Sequence, residues 1–282
     1  MSSENALGLP LATDRFRRRA HERSRSADLP MGGDALAGAV TARRLPLQRF
    51  ELSNAIEVGE QKIAQLMRGS TFTLGADEVL IKAGQDEEFA YRLQSGWAWR
   101  TRALEQGREQ GILIYLPGDL FAVQSLFVRR HDDEIRIISS ATLERIHRRD
   151  LYLHYARDTD IAHRCMWQLV EEERRVQNQL VSLGQGSALQ RLAATLLDLC
   201  QRLAASNGNT ADIETFDLPM TQLQLAKFLG ITPVHVNRVL RALRKANVFA
   251  LRRGVATVLD RKQLMQFAQP FLDACERWSA EP

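Results

Sequence analysis

The spacing of apolar side chains changes several times along this chain, and the changes divide it. Residues 1–45 hold Ser, Gly and Arg without a hydrophobic period and read as an unstructured basic extension. Inside it, Arg15 to Arg25, RFRRRAHERSR, is either a solvated tail or a DNA-contacting arm. Leu47 to Met67 predicts a lead-in helix, with GEQKIAQLM its most helical part. From about Phe72 to Ile146 short β-like runs alternate with turn signals: VLIKAG (79–84), YRLQSGWAWRTR (91–102), GILIYLPGDLF (111–121) and DEIRIISSATLERI (133–146). Gly84, Gly96, Gly107, Gly111 and Gly118 punctuate them, which predicts an antiparallel barrel or roll. Trp97 and Trp99 are two residues apart and share one face of a strand, as sheet core or as a ligand-stacking platform.

After Asp150 the period becomes helical. Ala162, Met166, Leu169, Glu173, Val176, Leu180 and Leu183 fall at alternating steps of four and three, an a/d seam with one charged interruption. A lone helix packed on its own barrel would also carry an apolar stripe. The length, about 25 residues up to a hinge at Gly184–Gly186, favours a two-fold coiled-coil dimer. Ser187 then caps a helix, SALQRLAATLLDLCQRLAAS, with Leu189, Leu192, Ala193, Leu196, Leu197 and Leu203 as its apolar positions. A polar loop at Ser206–Thr215 turns at Asn207–Gly208–Asn209.

The next stretch, LPMTQLQLAKFLGITPVHVNRVLRALRK from Leu218 to Lys245, reads as two short helices around a break at Gly230. Thr232 can cap the second, and Pro233 sits at its first position, where the missing N–H costs nothing. Val236, Val239, Leu240 and Leu243 form one stripe; His235, Asn237, Arg238 and Arg241 lie off it. This is the pattern of a helix-turn-helix with a recognition helix second. VFALRRGVATVL (248–259) then predicts two strands joined at Arg252–Arg253–Gly254, a basic-tipped wing, and Asp260 can cap a final helix that Pro270 ends or kinks.

Charge sharpens this picture. From Leu218 to Lys262 nine Lys/Arg face a single acid, Asp260, which is a phosphate-binding footprint and argues against an ordinary helical corner. Residues 1–45 carry a formal +3, residues 187–282 carry +4, and the segment between carries −3. An acidic body with a basic C-terminal module suits a sensor with a DNA-binding head. Cys165, Cys200 and Cys275 are well separated, without metal-ligand spacing; they suit a reducing cytosol and read as small buried hydrophobes. There is no run of 18 apolar residues and no signal-peptide core, so no membrane association is expected.

Barrel, long dimer helix, hinge and winged helix-turn-helix, in that order, resemble the cyclic-AMP receptor protein / fumarate-nitrate regulator (Crp/Fnr) family of bacterial transcription factors. The resemblance covers roughly Leu47 to Leu264. Its most specific pieces are Leu93–Gln94–Ser95–Gly96, Leu116–Pro117–Gly118–Asp119 at a barrel turn, and Leu223 through Arg244. It implies an α+β chain: a basic extension (1–45), an antiparallel β-roll sensor of the cyclic-nucleotide-binding, double-stranded β-helix type (46–156), a dimerisation helix and hinge (157–186) and a winged helix-turn-helix (187–282). It implies a homodimer on double-stranded DNA, RNA polymerase as a further partner, and no enzymatic activity. It places the dimer contacts at Ala162, Met166, Leu169, Val176, Leu180 and Leu183. Base readers would be Val234, His235, Asn237 and Arg238. Phosphate contacts would come from Thr221, Gln222, Thr232, Arg241, Arg252 and Arg253, although Thr221 and Thr232 have local helix capping as a competing role. An effector pocket would involve Gly118, Asp119, Leu120 and Arg136.

Departures from the family pattern carry information of their own. Cyclic-nucleotide-binding members follow the PGD turn with Gly-Glu and later with Arg-Ser or Arg-Thr; here Ala122 and Val123 stand in the first place, and VRRHDDEIRIISSA lacks the second pair. Burying a phosphate without a matching cation and donors is costly, so an effector other than a cyclic nucleotide is expected. Arg129, Arg130 or Arg136 would have to substitute otherwise. The oxygen-sensing members' N-terminal cysteines are absent, since no Cys precedes Cys165. No pattern pins a haem ligand among His131, His147 and His154. No cofactor is evident, which leaves an unidentified small molecule or an effector-free regulator. Val234 stands where the family's recognition helix commonly has Glu; it cannot accept from a cytosine and would touch a thymine methyl instead. The alternative is a cupin-like metal-dependent enzyme, for which the strands offer Glu109, Glu134 and Glu144 with His131 and His147, but no two His at HxH spacing.

Overall fold

The computed structural model describes residues 50–206, 213–269 and 271, with side chains from residue 52 onward. The basic extension, the Asn207–Gly208–Asn209 turn, Pro270 and Cys275 lie outside the described residues. Helix α1 (Phe50–Met67) leads into a curled six-stranded antiparallel sheet of β1 (Phe72–Leu74), β2 (Val79–Ile81), β3 (Phe89–Ala103), β4 (Glu109–Tyr115), β5 (Leu120–Phe121) and β6 (Glu134–His147). Its backbone is the long β3–β6 ladder, from Phe89 opposite His147 to Thr101 opposite Glu134. Register shifts between Leu93 and Ala98 bend that ladder. The bend lets β1 and β2 share one side of β6, and β4 and β5 share one side of β3. The three-residue β1 went unseen in the sequence, because so short a strand carries no readable period. The run expected from Gly111 to Phe121 is two strands, parted by the Pro117–Gly118 turn.

Pairing assigns the two sheet faces. Ala98 lies opposite Tyr115 and Ile137, and with Leu93, Leu113, Phe121, Ile135 and Leu143 these form one buried cluster. Trp99 lies opposite Ile114 and Arg136 on the other face. Trp97, Trp99, Ile114 and Ile138 join a second cluster that continues into the C-terminal helices, so both tryptophans are core.

Helix α2 (Arg148–Tyr155) ends the sheet domain, and α3 (Thr159–Gln185) runs 27 residues without interruption. Asp158 caps α3 and also pairs with Lys62 of α1 at 2.7 Å. Between α1, β3, β6 and α3 lies a buried ionic network: Arg92 to Glu144 at 2.6 Å and to Glu60 at 3.4 Å, and Arg164 to Glu60 at 2.5 Å. The amphipathic pattern of α3 is turned inside out. Its buried residues are Ile161, Arg164, Cys165, Gln168, Glu171, Glu172, Arg175 and Ser182. Its solvent side carries Met166, Val170, Val176, Leu180 and Val181.

One member of the buried polar side has a measurable signature. Burial raises the Glu172 carboxyl above its ordinary range, against the opposing pull of Arg100 and the hydrogen bond from Gln168. A carboxyl raised on folding binds protons more tightly in the native state, so its burial cost grows as pH rises above the unfolded value of 4.5. Glu172→Gln is therefore expected to stabilise the chain at neutral pH, with the gain vanishing below about pH 4.5. Urea titrations at several pH values read this directly; a gain independent of pH would contradict it.

Helix α4 (Ala188–Ser206) opens with a reciprocal cap: the Gln190 N–H donates to Ser187 Oγ at 3.3 Å, and the Ser187 N–H donates to Gln190 Oε1 at 2.9 Å. Cys165 and Cys200 are both buried. The remaining elements are β7 (Thr215–Asp217), α5 (Gln222–Leu229), α6 (Pro233–Lys245), β8 (Phe249–Arg252), β9 (Val255–Val258) and α7 (Arg261–Ala268). The strands pair in the order β7-β9-β8, and Asp260 caps α7 by accepting from the Gln263 N–H. Strand β7, like β1, is three residues long and was not foreseen.

Candidate nucleic-acid interface

The helix-turn-helix is assembled by local chemistry. Thr221 and Gln224 form a capping box at the start of α5. Gly230 ends α5 in the left-handed region, φ 63°, where a side chain would be strained. The Thr232 hydroxyl accepts from the His235 N–H, and Pro233 follows at the first helical position of α6. The two threonines expected to contact phosphate thus serve as helix caps, and the Thr221 hydroxyl also donates to Gln224 Oε1 at 3.1 Å. Helix α6 buries Val236, Val239 and Leu243 against the head and turns Val234, Arg238, Arg241, Arg244 and Lys245 to solvent. Val234 is 80% exposed at the leading end of the helix. An apolar side chain so placed has no packing role in the chain itself. Asn237 Nδ2 donates to Gln222 Oε1 at 3.1 Å, which ties the second helix to the first. Arg238 Nη2 donates to His235 Nε2, so His235 orients the arginine in addition to facing outward.

The wing is a tight hairpin. Arg252 pairs with Val255, leaving Arg253 and Gly254 as a two-residue loop with φ of 51° and 82°. Two left-handed residues make a type I′ turn, whose usual occupants are Asn-Gly or Asp-Gly. An arginine there gives up stability for an exposed cation. With Gln222, Asn237, Leu240, Arg241, Arg244 and Leu251, Arg253 lines a groove between wing and α6. Arg253→Gly is expected to stabilise the fold by about 1 kcal/mol. It should also weaken duplex binding and lower the salt-dependence slope by about 1. Thermal melting and salt-titrated fluorescence anisotropy separate the two effects; a variant both less stable and equally tight would reverse the argument.

Long-range contacts that the sequence did not disclose fix the head against the sheet. Gly111 of β4 meets Phe228 so closely that a Cβ would come within 3.0 Å of its Cα. The Phe228 carbonyl accepts from Gln110 Nε2 of β4 at 3.2 Å and from Gln179 Nε2 of α3 at 2.7 Å. The Leu229 carbonyl accepts from Arg191 Nη1 of α4 at 3.0 Å, and Lys227 pairs with Glu109 at 2.7 Å. The end of the first recognition-motif helix is thus held by three separate elements. Nothing in the local pattern of Gln110 or Gln179 announces such a role.

Two of the four residues expected around an effector, Asp119 and Arg136, have other partners in the structure. Asp119 and Leu120 are buried beside Gly118, but Asp119 faces the helices: it accepts from the Leu116 N–H at 2.8 Å and pairs with Arg202 at 2.5 Å and Arg175 at 3.5 Å. Arg136 donates instead to the Asp77 carbonyl and to Glu134. Arg136 and Asp119 therefore pair with different groups. Ala122 and Val123 are fully buried, which leaves no carboxylate at the place of the family's Gly-Glu pair. The enzyme reading fares no better. Glu109, Glu134 and Glu144 face Lys227, Arg136 and Arg92 respectively. Among the described residues no three His, Cys, Asp or Glu converge as a metal site, and none of the helices is long and apolar enough to cross a membrane.

Comparison with known proteins agrees with this arrangement. The Crp-like helix-turn-helix domain profile matches residues 190–267, and the cyclic nucleotide-binding domain profile matches residues 71–157. The chain is 29% identical over 232 residues to the nitrogen fixation regulation protein FixK of Azorhizobium caulinodans, covering 79% of this chain and 90% of that one. It is 24% identical over 189 residues to the fumarate and nitrate reduction regulatory protein of Vibrio cholerae, covering 67% and 74%. The crystal structure of FixK2 from Bradyrhizobium japonicum superposes with a TM-score of 0.62 at 24% identity, over 70% of this chain and 96% of that one. With a curled antiparallel sheet domain, a long connecting helix and a winged helix-turn-helix in the family's order, this chain belongs to the Crp/Fnr family of transcription regulators.

Proposed function

We propose that the chain acts as a cytoplasmic homodimer that reads a two-fold DNA palindrome and answers to a signal other than a cyclic nucleotide. The observation that carries the dimer is the reversed polarity of α3. A 27-residue helix that buries Arg164, Glu171 and Arg175 while exposing Met166, Val176 and Leu180 has an apolar stripe in need of a partner. The stripe coincides with the a/d seam through Ala162, Met166, Leu169, Val176, Leu180 and Leu183, none of which is fully buried. Two copies joined along it would present two α6 helices to half-sites about one helical turn, roughly 34–36 Å, apart.

Base reading falls to Arg238 and Val234, with Asn237 and His235 as aides that hold the helix and the arginine. Arg238 suits a guanine, O6 and N7 accepting from its fork; Val234 suits a thymine methyl. Arg241 and Arg253, which line the groove, and the exposed Arg252 beside them supply phosphate contacts. RNA polymerase is the further partner, reached once the dimer sits on its site. Arg238→Ala is expected to lose about 1–3 kcal/mol and to relax specificity at one base pair. Selection of binding sites from random duplexes by the wild type and the variant tests this. An unchanged site preference would remove Arg238 from the readout.

A further inference from the structure

The junction between the sheet, α3 and α4 holds a partly open cavity that the DNA-facing surface does not use. Its volume is about 80 Å3, room for roughly six water-sized groups at about 10–15 Å3 each. Arg175 lines it from α3 and Arg202 from α4. Their side chains are 7% and 8% exposed, so both cations are more than nine-tenths buried. Neither guanidinium is fully used. Arg202 donates through Nη2 to Asp119 and the Ile114 carbonyl, and through Nη1 to Asp198. Arg175 reaches Asp119 and Glu171 through Nη2. Nε and Nη1 of Arg175 and Nε of Arg202 are buried without a hydrogen-bond partner.

Buried N–H groups are seldom left unpaired, and an arginine cannot escape the cost by giving up its proton. Three unpartnered nitrogens on two cations, carrying four N–H groups, call for a ligand with at least two acceptor oxygens. The remaining walls are mixed: Gln179 and Thr195 add hydrogen-bonding groups, Asp198 adds a carboxylate already paired with Arg202 Nη1 at 3.3 Å, and Ile112, Ala194 and Phe228 add apolar surface. The space is too small for a whole nucleotide and large enough for a single oxyanion.

We propose that this cavity binds a small oxyanion, a phosphate or short carboxylate, held by the open N–H groups of Arg175 and Arg202. The occupant would touch β4, α3, α4 and the Phe228 end of α5, the elements that set how the head sits. Occupancy would therefore change DNA affinity. That consequence rests on the DNA-binding reading, whereas the binding itself does not.

The test is calorimetry on the full chain in phosphate-free buffer, titrated separately with inorganic phosphate and with succinate at constant ionic strength. Thermal melting runs in parallel. The expected result is one-to-one saturable binding of one anion with a raised melting temperature. Arg175→Met should weaken it by about tenfold or more. Ala194→Leu, which fills the cavity and removes no charge, should weaken it while the far-UV circular dichroism stays that of the parent. The site is overturned if neither anion saturates, if chloride at equal ionic strength gives the same shift, or if both folded variants bind like the parent. Duplex affinity with and without the saturating anion forms the second arm. An unchanged affinity overturns the coupling. A chain that binds no DNA at all overturns the regulator reading, and the calorimetry decides the site independently of it.

Discussion

Asp119→Ala is expected to cost the folded chain about 3–5 kcal/mol, the penalty for removing one partner from a buried ionic cluster. Asp119 is 3% exposed and sits at the end of the Pro117–Gly118 turn, where its carboxylate does two jobs. It closes the turn by accepting from the Leu116 N–H at 2.8 Å, and it neutralises Arg202 at 2.5 Å and Arg175 at 3.5 Å. Burial works against the charge of Arg202, yet Asp119 and Asp198 together hold it more firmly protonated than usual. Without Asp119, Arg202 keeps Asp198 and the Ile114 carbonyl and Arg175 keeps Glu171, but α3 and α4 lose their shared anchor on the sheet. Asp119→Asn keeps an acceptor for the Leu116 N–H and removes only the charge, so it should fall between the parent and the alanine variant. Denaturant melts of the three proteins give that order. Equal stability of parent and alanine variant would show that the ion pairs at this turn contribute nothing.

Leu180→Glu is expected to separate the dimer. Leu180 is 68% exposed, the most exposed large hydrophobic on α3. At a two-fold seam each copy would bury a carboxylate facing its twin, with an expected loss of about 3–5 kcal/mol of association free energy for uncompensated buried charge. In the single chain the same substitution lies in solvent and should leave the fold intact. Sedimentation velocity should report a monomer with parental circular dichroism. Affinity for the full palindrome should fall to that for an isolated half-site, because only one α6 can then engage. A Leu180→Glu protein that remained a dimer would move the interface away from the α3 seam.

Much of the architecture was written locally. The capping box at Thr221, the left-handed Gly230, Thr232 with Pro233, and Asp260 act within one helical turn, so their spacing alone located α5, α6 and α7. The wing was legible from Arg252–Arg253–Gly254, although the left-handed arginine inside it was not. The alternation around Trp97 and Trp99 placed both on one face. What covers that face was hidden, because the cluster draws on residues of the C-terminal helices. The seam of α3 was legible as a stripe but ambiguous in direction: the same period fits a helix packed inward or outward.

By itself the sequence determined the α+β order of elements, the helix-turn-helix with its wing, and the basic surface facing outward from α6. These follow from period, capping and charge, which act between near neighbours. Only the tertiary structure decided which side of α3 is buried, that Asp119 answers Arg202 and Arg175 instead of Arg136, and that Gln110, Gln179 and Arg191 hold the end of α5. Those choices join residues far apart in the chain. They depend on how a bent β3–β6 ladder presents its two faces to the helices, and no local pattern carries that angle.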